Sequence, residues 1–440
     1  MFRKCLFIVV CLVIIQFIQS SPVVNSVKDC YLGSPAPVRV FLTVSSLMAS
    51  LTQHGVVKRR LEINWFGHPP AEDDYIAVYH QDPELYPYND SVLLLEPHKY
   101  PGGYFRTNIE MPIHVDNFNE NTRCFGYWAV YHGENGEIKH STCLQLRPFW
   151  MKEIAKHISD LKLSEIMIPG SHDAGSIHYK RVRTPLSKYE YTQELSIYNQ
   201  IMYGLRYFDL RVGYYEKKPD QYYINHNFLR TETTVKTVLE EVKKYLLMST
   251  KDIIILDVHD FPHGFKTPEN HKKLQTMIID ILGNYIIPYN DQYENATLSY
   301  YWQQQKLVLI SYDCPYRETF FSEAFWPRIP RAWGNKQRPK DLKAYFKEVF
   351  EKPTPKGLWA SMAEITPNLR FLIFHPITGL RVLADEINRN VTHWFRDLYW
   401  RKANIVATDY FLGNDIIDVA IRTNRIKGVC PEFTWPKLSP

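Results

Sequence analysis

Five side chains suited to proton transfer or anion binding lie between residues 172 and 226: His172, Asp173, Asp209, Arg211 and His226. Each follows an apolar run: IMIPGS precedes the first histidine, GLRYF the second aspartate, and YYIN the second histidine. Such runs are typical of buried strands, and the loops at strand ends carry the functional groups of α/β enzymes. The cluster therefore indicates a site that performs chemistry.

The residue types favour general acid–base catalysis at a phosphodiester. Two histidines can serve as base and acid because their ordinary pKa, about 6.5, suits both roles. Arg211 can stabilise charge on the non-bridging phosphate oxygens, and a neighbouring hydroxyl of the substrate would give a cyclic phosphate first. This chemistry requires no metal or other cofactor.

Each part of the cluster also has a structural interpretation. Asp209 and Arg211 share one face of a strand, so they also suit a structural ion pair. A single histidine is more often structural than catalytic. Two histidines together with the Asp209–Arg211 pair indicate catalysis much more specifically than any one of these residues does.

The elements that position these residues alternate between strands and helices from Phe149 onward. Apolar strand-like runs interleave with amphipathic stretches such as residues 232–249 and 268–284. Repeated strand and helix predict parallel strands, and residues 148–440 suit a TIM-like (β/α) barrel. An open doubly wound sheet is the alternative, but no glycine-rich nucleotide fingerprint follows the first strand.

Residues 22–147 have a different pattern. Short β-rich runs alternate with Gly, Pro, Asn and Asp clusters, which predicts an N-terminal antiparallel β-sandwich. Their aromatic residues are expected to fill its core.

Residues 1–21 have the layout of a signal peptide: Arg3 and Lys4, an apolar core, then Ser20 and Ser21. We therefore expect a secreted, extracellular protein with no transmembrane segment. The chain has 52 basic and 47 acidic side chains and no basic run, which argues against a nucleic-acid partner.

Secretion predicts disulfides and glycosylation. Cys30, Cys124, Cys143, Cys314 and Cys430 remain after the leader, and the pair bracketing a hairpin, Cys124 and Cys143, is the first candidate for a bridge. One cysteine should stay unpaired or bind another chain. The glycosylation sequons begin at Asn89, Asn295 and Asn390, where surface loops are expected.

The motifs resemble the phosphatidylinositol-specific phospholipase C X-domain family. IMIPGSHDAGS, GLRYFDLRV and YYINHNFL are similar to its first motifs in order, although Asn227 replaces a glycine of many relatives; DIIILDVHDF and NIVATDYF resemble later strands. The resemblance covers residues 149–425. It implies a (β/α) barrel that cleaves inositol phospholipids, or glycan–phosphatidylinositol anchors, at a membrane surface.

The resemblance also implies a role for each residue. His172 resembles the general base, supported by Asp409, and His226 resembles the general acid. Asp209 resembles the partner of the acid. Asp173 and Arg211 resemble the groups that bind and polarise the phosphate.

Arg211 distinguishes between branches of the family. Calcium-dependent members have asparagine after the first histidine and a second acidic residue where this chain has Asp173 and Arg211. The chain therefore resembles the metal-independent branch, in which the guanidinium replaces the cation.

Further strand-end residues are candidates for substrate binding: Asp257, His259, Tyr312 and Asp313. Phe320, Phe321, Phe325 and Trp326 are candidates for a membrane-touching rim, with burial in the core as the alternative. The alternative functions are a catalytically inactive secreted lipid- or glycan-binding protein that retains the barrel, and a protein whose N-terminal region does the binding.

Overall fold

The computed structural model describes residues 37–47, 59–86, 90–111, 124–177, 186–227, 229–376 and 378–430. The predicted leader, residues 1–21, lies outside these ranges, as do Cys30 and Asn89. None of the helices in the described ranges is both long and apolar enough to cross a membrane.

The N-terminal part forms two antiparallel sheets. Its strands are β1 Arg39–Val44, β2 Arg59–Phe66, β3 Tyr75–Tyr79, β4 Leu93–Leu95, β5 Tyr104–Met111, β6 Cys124–His132 and β7 Ile138–Gln145. One sheet has the order β1-β2-β5 and the other β4-β3-β6-β7. Alternate residues of both sheets, including Leu42, Ile63, Val78 and Tyr131, fill one shared apolar core. The layout is that of two sheets packed face to face.

The bridge predicted for the hairpin is confirmed, because a disulfide joins Cys124 to Cys143 across β6 and β7. Cys430 is also disulfide-bonded, and Cys314 is a free thiol.

The second part is a barrel of parallel strands with helices outside. Its strands are β8 Ile168–Ser171, β9 Tyr207–Tyr214, β10 Tyr222–His226, β11 Leu229–Thr234, β12 Ile254–His263, β13 Val308–Tyr312, β14 Arg331–Trp333, β15 Ala360–Met362 and β16 Ile405–Thr408. The parallel strands follow the order β14-β15-β16-β8-β9-β12-β13. The predicted (β/α) barrel is confirmed, while the domain boundaries at 21/22 and 147/148 stay predictions.

The helices are α1 Trp150–Glu153, α2 Ala155–Ile158, α3 Ile197–Tyr203, α4 Val235–Leu246, α5 Pro268–Leu282, α6 Asp291–Glu294, α7 Leu298–Gln303, α8 Arg317–Phe321, α9 Pro339–Glu351, α10 Leu369–Phe374, α11 Gly379–His393 and α12 Ile416–Val429. Helix α4 shows why they lie outside. Its buried residues Val235, Val238, Leu239 and Val242 recur at helical spacing, and Thr234 caps its first turn by accepting from the Thr237 amide. This apolar stripe covers the outer face of the strands.

Strand β10 is the third barrel strand in chain order, as predicted, but it runs antiparallel to β9. Residues 215–221 are too few for a parallel crossover, which takes about a dozen residues or more. Strand β8 ends at Ser171, beside Phe208, so the later residues of β9 have a free edge there. The hairpin occupies that edge and turns His226 back toward the barrel mouth.

Two sequons fall within the described residues. Asn295 is exposed after α6. Asn390 lies in the partly buried surface of α11 and not in a loop, because helical apolar spacing continues through its sequon to Val391. Glycosylation at Asn89, Asn295 and Asn390 stays a prediction.

Candidate active site

Neighbouring strands bring His172 and Asp409 together. The histidine follows β8 and the aspartate follows β16, and these two strands pair in parallel. His172 Nδ1 lies 2.7 Å from Asp409 Oδ1, and both residues are buried. The carboxylate therefore fixes the orientation of the imidazole ring.

Arg211 contacts the other nitrogen of the same ring. It projects from β9 on the same face as Asp209, and its Nη2 donates to His172 Nε2 at 2.7 Å. A guanidinium can only donate, so this bond requires Nε2 to accept while Nδ1–H donates to Asp409. This hydrogen-bond pattern therefore belongs to the neutral form of His172, in which Nε2 carries no proton.

His226 enters the site through the β10 hairpin. A Cβ on Gly175 would lie 2.7 Å from the Ile224 side chain, so the hairpin depends on glycine at that position. His226 Nε2 lies 3.8 Å from Asp173 Oδ2, which is itself 3.8 Å from Arg211 Nη1. A continuous chain of contacts thus links Asp409, His172, Arg211, Asp173 and His226.

The expected pairing of Asp209 with His226 is wrong. Asp209 Oδ1 forms a hydrogen bond with His259, a residue of the neighbouring strand β12, and Asp209 Oδ2 accepts from the Asp173 amide at 3.2 Å. The carboxylate near His226 is Asp173. The antiparallel course of β10 is the reason, because it places His226 by the β8 loop.

The two histidines experience opposite electrostatic environments. Burial lowers the pKa of His172, but the negative charges of Glu364 and Asp409 outweigh it and raise this pKa to about 10. Burial, followed by the positive charges of Arg211 and His172, lowers the pKa of His226 to about 3. His172 therefore binds a proton more tightly than His226.

The carboxyl groups also differ. Burial raises the pKa of Asp173 to about 7 despite the attraction of Arg211, and neither oxygen of Asp173 has a hydrogen-bond partner. Burial also works to raise the pKa of Asp209, but His259 and Arg211 hold it well below its ordinary value. Asp173 also has a left-handed φ of 42°, an uncommon conformation that concentrates at functional sites.

Glu364 is a site residue that the sequence reasoning missed. It follows β15, next to the strand that carries Asp409, and both of its buried oxygens lack a hydrogen-bond partner. Burial raises its pKa to about 7. Its one sequence signal is its position after the strand-like run KGLWASMA, which it shares with many structural acidic residues.

The predicted substrate-binding residues divide into three groups. His259 lies in the site beside Asp209. Asp257 accepts from Tyr207 and Arg331 inside the barrel, and Asp313 pairs with Arg331 at the rim. Tyr312 points away from the site, because its hydroxyl hydrogen-bonds His271 on α5 and its ring packs outside the barrel.

The predicted aromatic rim is also wrong for Phe325 and Trp326, which are buried in the barrel's main apolar core. Phe320 and Phe321 are half-buried. Three strongly exposed apolar side chains lie together on α10, which follows β15 at the same end as the site: Leu369 is 73% exposed, Ile373 65% and Phe374 68%.

Residues 166–313 match the family model of the phosphatidylinositol-specific phospholipase C, X domain. This segment of the chain is therefore similar to a PI-PLC X domain. The matched segment runs from β8 to β13 and includes His172, His226 and His259, whereas Glu364 and Asp409 lie beyond it. The resemblance predicted from the motifs is confirmed.

Relatives named for this domain are similar to a longer part of the chain. PI-PLC X domain-containing protein 1 of Danio rerio is 25% identical over 306 residues, which are 63% of this chain and 97% of the relative. PI-PLC X domain-containing protein 2 of Mus musculus is 29% identical over 305 residues, 62% of this chain and 85% of the relative.

Among solved structures, the phosphatidylinositol-specific phospholipase C from Listeria monocytogenes is similar, with 18% identity and a TM-score of 0.46 over 63% of this chain and 98% of that one. The Staphylococcus aureus enzyme has 16% identity and a TM-score of 0.49 over 63% and 97%.

Proposed function

We propose that the protein is a phosphodiesterase that cleaves phosphatidylinositol-type lipids, or glycan–phosphatidylinositol anchors, by histidine acid–base catalysis through a cyclic phosphate. The observation that carries the proposal is the contact chain from Asp409 through His172, Arg211 and Asp173 to His226. It gives a phosphate bound at Arg211 a histidine on either side.

His172 is the base in this proposal. Its Nε2 takes the proton of the hydroxyl that attacks phosphorus. Asp409 and Glu364 then stabilise the imidazolium that forms, since both raise the pKa of His172. Arg211 leaves Nε2 for the phosphate as substrate binds, because an anionic oxygen is the stronger acceptor for a guanidinium.

His226 is the acid, and substrate binding prepares it. In the empty site its pKa is low because of burial and the positive charges of Arg211 and His172. An anionic phosphodiester beside Arg211 offsets those charges and raises the pKa of His226. The proton on His226 then passes to the departing lipid oxygen, close to Asp173.

Arg211 also supports metal-independent catalysis. Its guanidinium sits within 3.8 Å of both Asp173 and Asp209, so its positive charge occupies the place a divalent cation would take between these carboxylates. The proposal therefore includes no cofactor.

The substrate is a lipid within a membrane surface, and α10 is suited to contact it. Leu369, Ile373 and Phe374 form an exposed apolar face, and Trp333, exposed at the end of β14, donates to Thr366 just before this helix. Apolar and aromatic side chains on one helix face favour insertion at the headgroup boundary. The leader and sequons complete the proposal of a secreted, glycosylated enzyme.

A catalytically inactive lipid- or glycan-binding protein is the second candidate. The observation that favours it is the tight protonation of His172 and weak protonation of His226 in the empty site, opposite to the states needed at the start of the reaction.

One assay separates the two. Purified protein is given phosphatidylinositol vesicles in EDTA, and water-soluble inositol phosphate is measured for wild type, His172→Ala and His226→Ala. His80→Ala, an exposed histidine on the N-terminal sheets, is the matched control. We expect release by wild type and the control and a loss of at least about 1,000-fold in each site variant. Vesicle binding without release would favour the inactive protein.

A further inference from the structure

We propose that the N-terminal sheets position the His172–Asp409 pair, and that Arg59 is the positioning residue through which they act. Three buried side chains connect the N-terminal sheets to the barrel at this point: Arg59 at the start of β2, Glu194 in the loop before α3, and Arg381 on α11. The kinetic part of its test rests on the proposed function, whereas the structural part does not.

Glu194 lies between two arginines from different parts of the molecule. Its Oε2 is 2.6 Å from Arg59 Nη1, and its Oε1 forms an ion pair with Arg381. The three side chains are only 4%, 7% and 11% exposed. A buried charge depends strongly on its oppositely charged partners. Removing Arg59 therefore leaves the buried Glu194 carboxylate paired with Arg381 but without its second arginine.

The residues before Glu194 hold the backbone of the site. Gln193 Nε2 donates to the carbonyl of His172 at 3.1 Å and to that of Thr408 at 2.9 Å. Thr192 Oγ1 donates to the Asp173 carbonyl at 2.8 Å, and the Thr192 carbonyl accepts from the Tyr410 amide at 2.9 Å. One short segment therefore fastens the loop of the base to the loop of its carboxylate.

A second link from the N-terminal sheets reaches the same loops through α11. Arg106 on β5 lies 2.7 Å from Asp385, and Ser45 Oγ donates to Asp385 at 2.9 Å. One turn later on α11, Asn388 Nδ2 donates to the carbonyls of Asp409 and Tyr410, both at 3.0 Å.

Tyr410 shows that this loop is held under constraint. Its φ of 45° is left-handed, which a tyrosine adopts only where the surroundings determine it. The guanidinium of Arg381 lies over its ring at 4.6 Å. The ion cluster therefore touches the residue next to Asp409 as well as the segment that fastens His172.

A purely structural ion cluster would stabilise the interface without affecting the site. The positions argue for more, because both links end on the backbone on either side of the 2.7 Å contact between His172 and Asp409. Displacements of about 1 Å at such contacts cost about 100-fold in rate.

The test compares neighbouring arginines of β2 in the full chain. Arg59→Met should lower kcat for phosphatidylinositol at least tenfold with little change in KM. It should also lower the pKa of His172, read by NMR of ring-labelled histidine and assigned by the loss of one signal in His172→Asn. Arg60→Met, whose side chain is exposed and bonds Asn108, should behave as wild type. Arg59→Lys should have a kcat and a His172 pKa between those of Arg59→Met and wild type.

Other outcomes decide against the inference. A folded Arg59→Met with unchanged kcat and unchanged His172 pKa would overturn it. If Arg59→Met does not fold, Arg106→Met is used, because it breaks the partly exposed link between β5 and Asp385 on α11. This variant must then lower both kcat and the pKa of His172 for the inference to stand. If wild type cleaves no phosphatidylinositol, the proposed function fails, and the pKa of His172 in these variants still tests the positioning role.

Discussion

At the scale of the residue, the chemistry depends on how charges are shared around His172. Asp409 bonds its Nδ1, while Glu364 adds the largest attractive charge without a hydrogen bond of its own. His172 is thus a stronger base than an isolated histidine. The cost is that it must lose its proton before it can act.

This sets the pH dependence. If His172 is the base and His226 the acid, the free enzyme reacts only when His172 has lost its proton and His226 still carries one. Because the pKa of His172 is raised to about 10 and that of His226 is lowered to about 3, kcat/KM should be level across neutral pH. It should fall only above the pKa of His172, well above the ordinary value of 6.5, where no more base is gained while His226 continues to lose its proton. Glu364→Gln removes a charge that raises the pKa of His172, so this upper limb should move to lower pH by about one unit or more. The measurement is kcat/KM between pH 5 and 11.

Glu348→Gln, an exposed glutamate on α9, is the matched control and should leave the profile unchanged. A profile that already falls near pH 6.5, or an upper limb that Glu364→Gln leaves in place, would show that the charges around His172 do not raise its pKa.

The sequence predicted which polar residues would meet, and one of the two expected pairings of histidine with carboxylate. His172, Asp173 and Arg211 follow from strand ends and spacing, and the pairing of His172 with Asp409 follows from the family resemblance. The partner of His226 does not, because it depends on the direction of β10. Glu364 was missed because a single acidic residue after a strand-like run has no distinguishing pattern.

At the scale of the element, the proposed function assigns membrane contact to α10 and not to the segment from Phe320 to Trp326. In the sequence both segments are aromatic and apolar, and only tertiary packing distinguishes them: Phe325 and Trp326 fill the core, whereas Leu369, Ile373 and Phe374 remain exposed. An exposed apolar helix at the barrel mouth is an interaction surface.

The triple variant Leu369→Ser, Ile373→Ser, Phe374→Ser should bind phosphatidylinositol vesicles at least tenfold more weakly, because it removes most of the exposed apolar area of α10. Sedimentation with vesicles measures this. Hydrolysis of a short-chain soluble substrate should be unchanged, since α10 contributes no side chain to the contact chain of the site.

Leu247→Ser and Leu398→Ser, two exposed leucines elsewhere on the barrel, are the controls. Equal vesicle binding by the triple variant and wild type would show that another surface contacts the membrane.

At the scale of the whole molecule, the barrel has an irregular closure. No hydrogen-bonded ladder joins β13 to β14 in the part of the chain that the structure describes. Arg331 spans this gap, with Nη1 2.8 Å from Asp257 and Nη2 3.2 Å from Asp313. A side chain thus replaces the missing strand pairing, which no repeat of strand and helix in the sequence could reveal.

Arg331→Met should destabilise the barrel by about 3–5 kcal/mol, because it leaves the buried Asp257 carboxylate without its cation. Arg328→Met is the matched control: Arg328 also pairs with Asp313, but it is 64% exposed, so we expect a loss of at most about 1 kcal/mol. Thermal unfolding followed by circular dichroism compares the two. An equal loss of stability in both variants would show that other contacts hold β13 and β14 together.

The central claim is that two histidines and an arginine cleave an inositol phospholipid without a metal ion. Phosphorus-31 NMR of the reaction in EDTA tests it most directly. We expect a cyclic inositol phosphate as the first product, at a rate that added Ca²⁺ does not increase and that Arg211→Ala lowers at least about 100-fold. A first product that is acyclic, or a reaction that EDTA abolishes and Ca²⁺ restores, would contradict it.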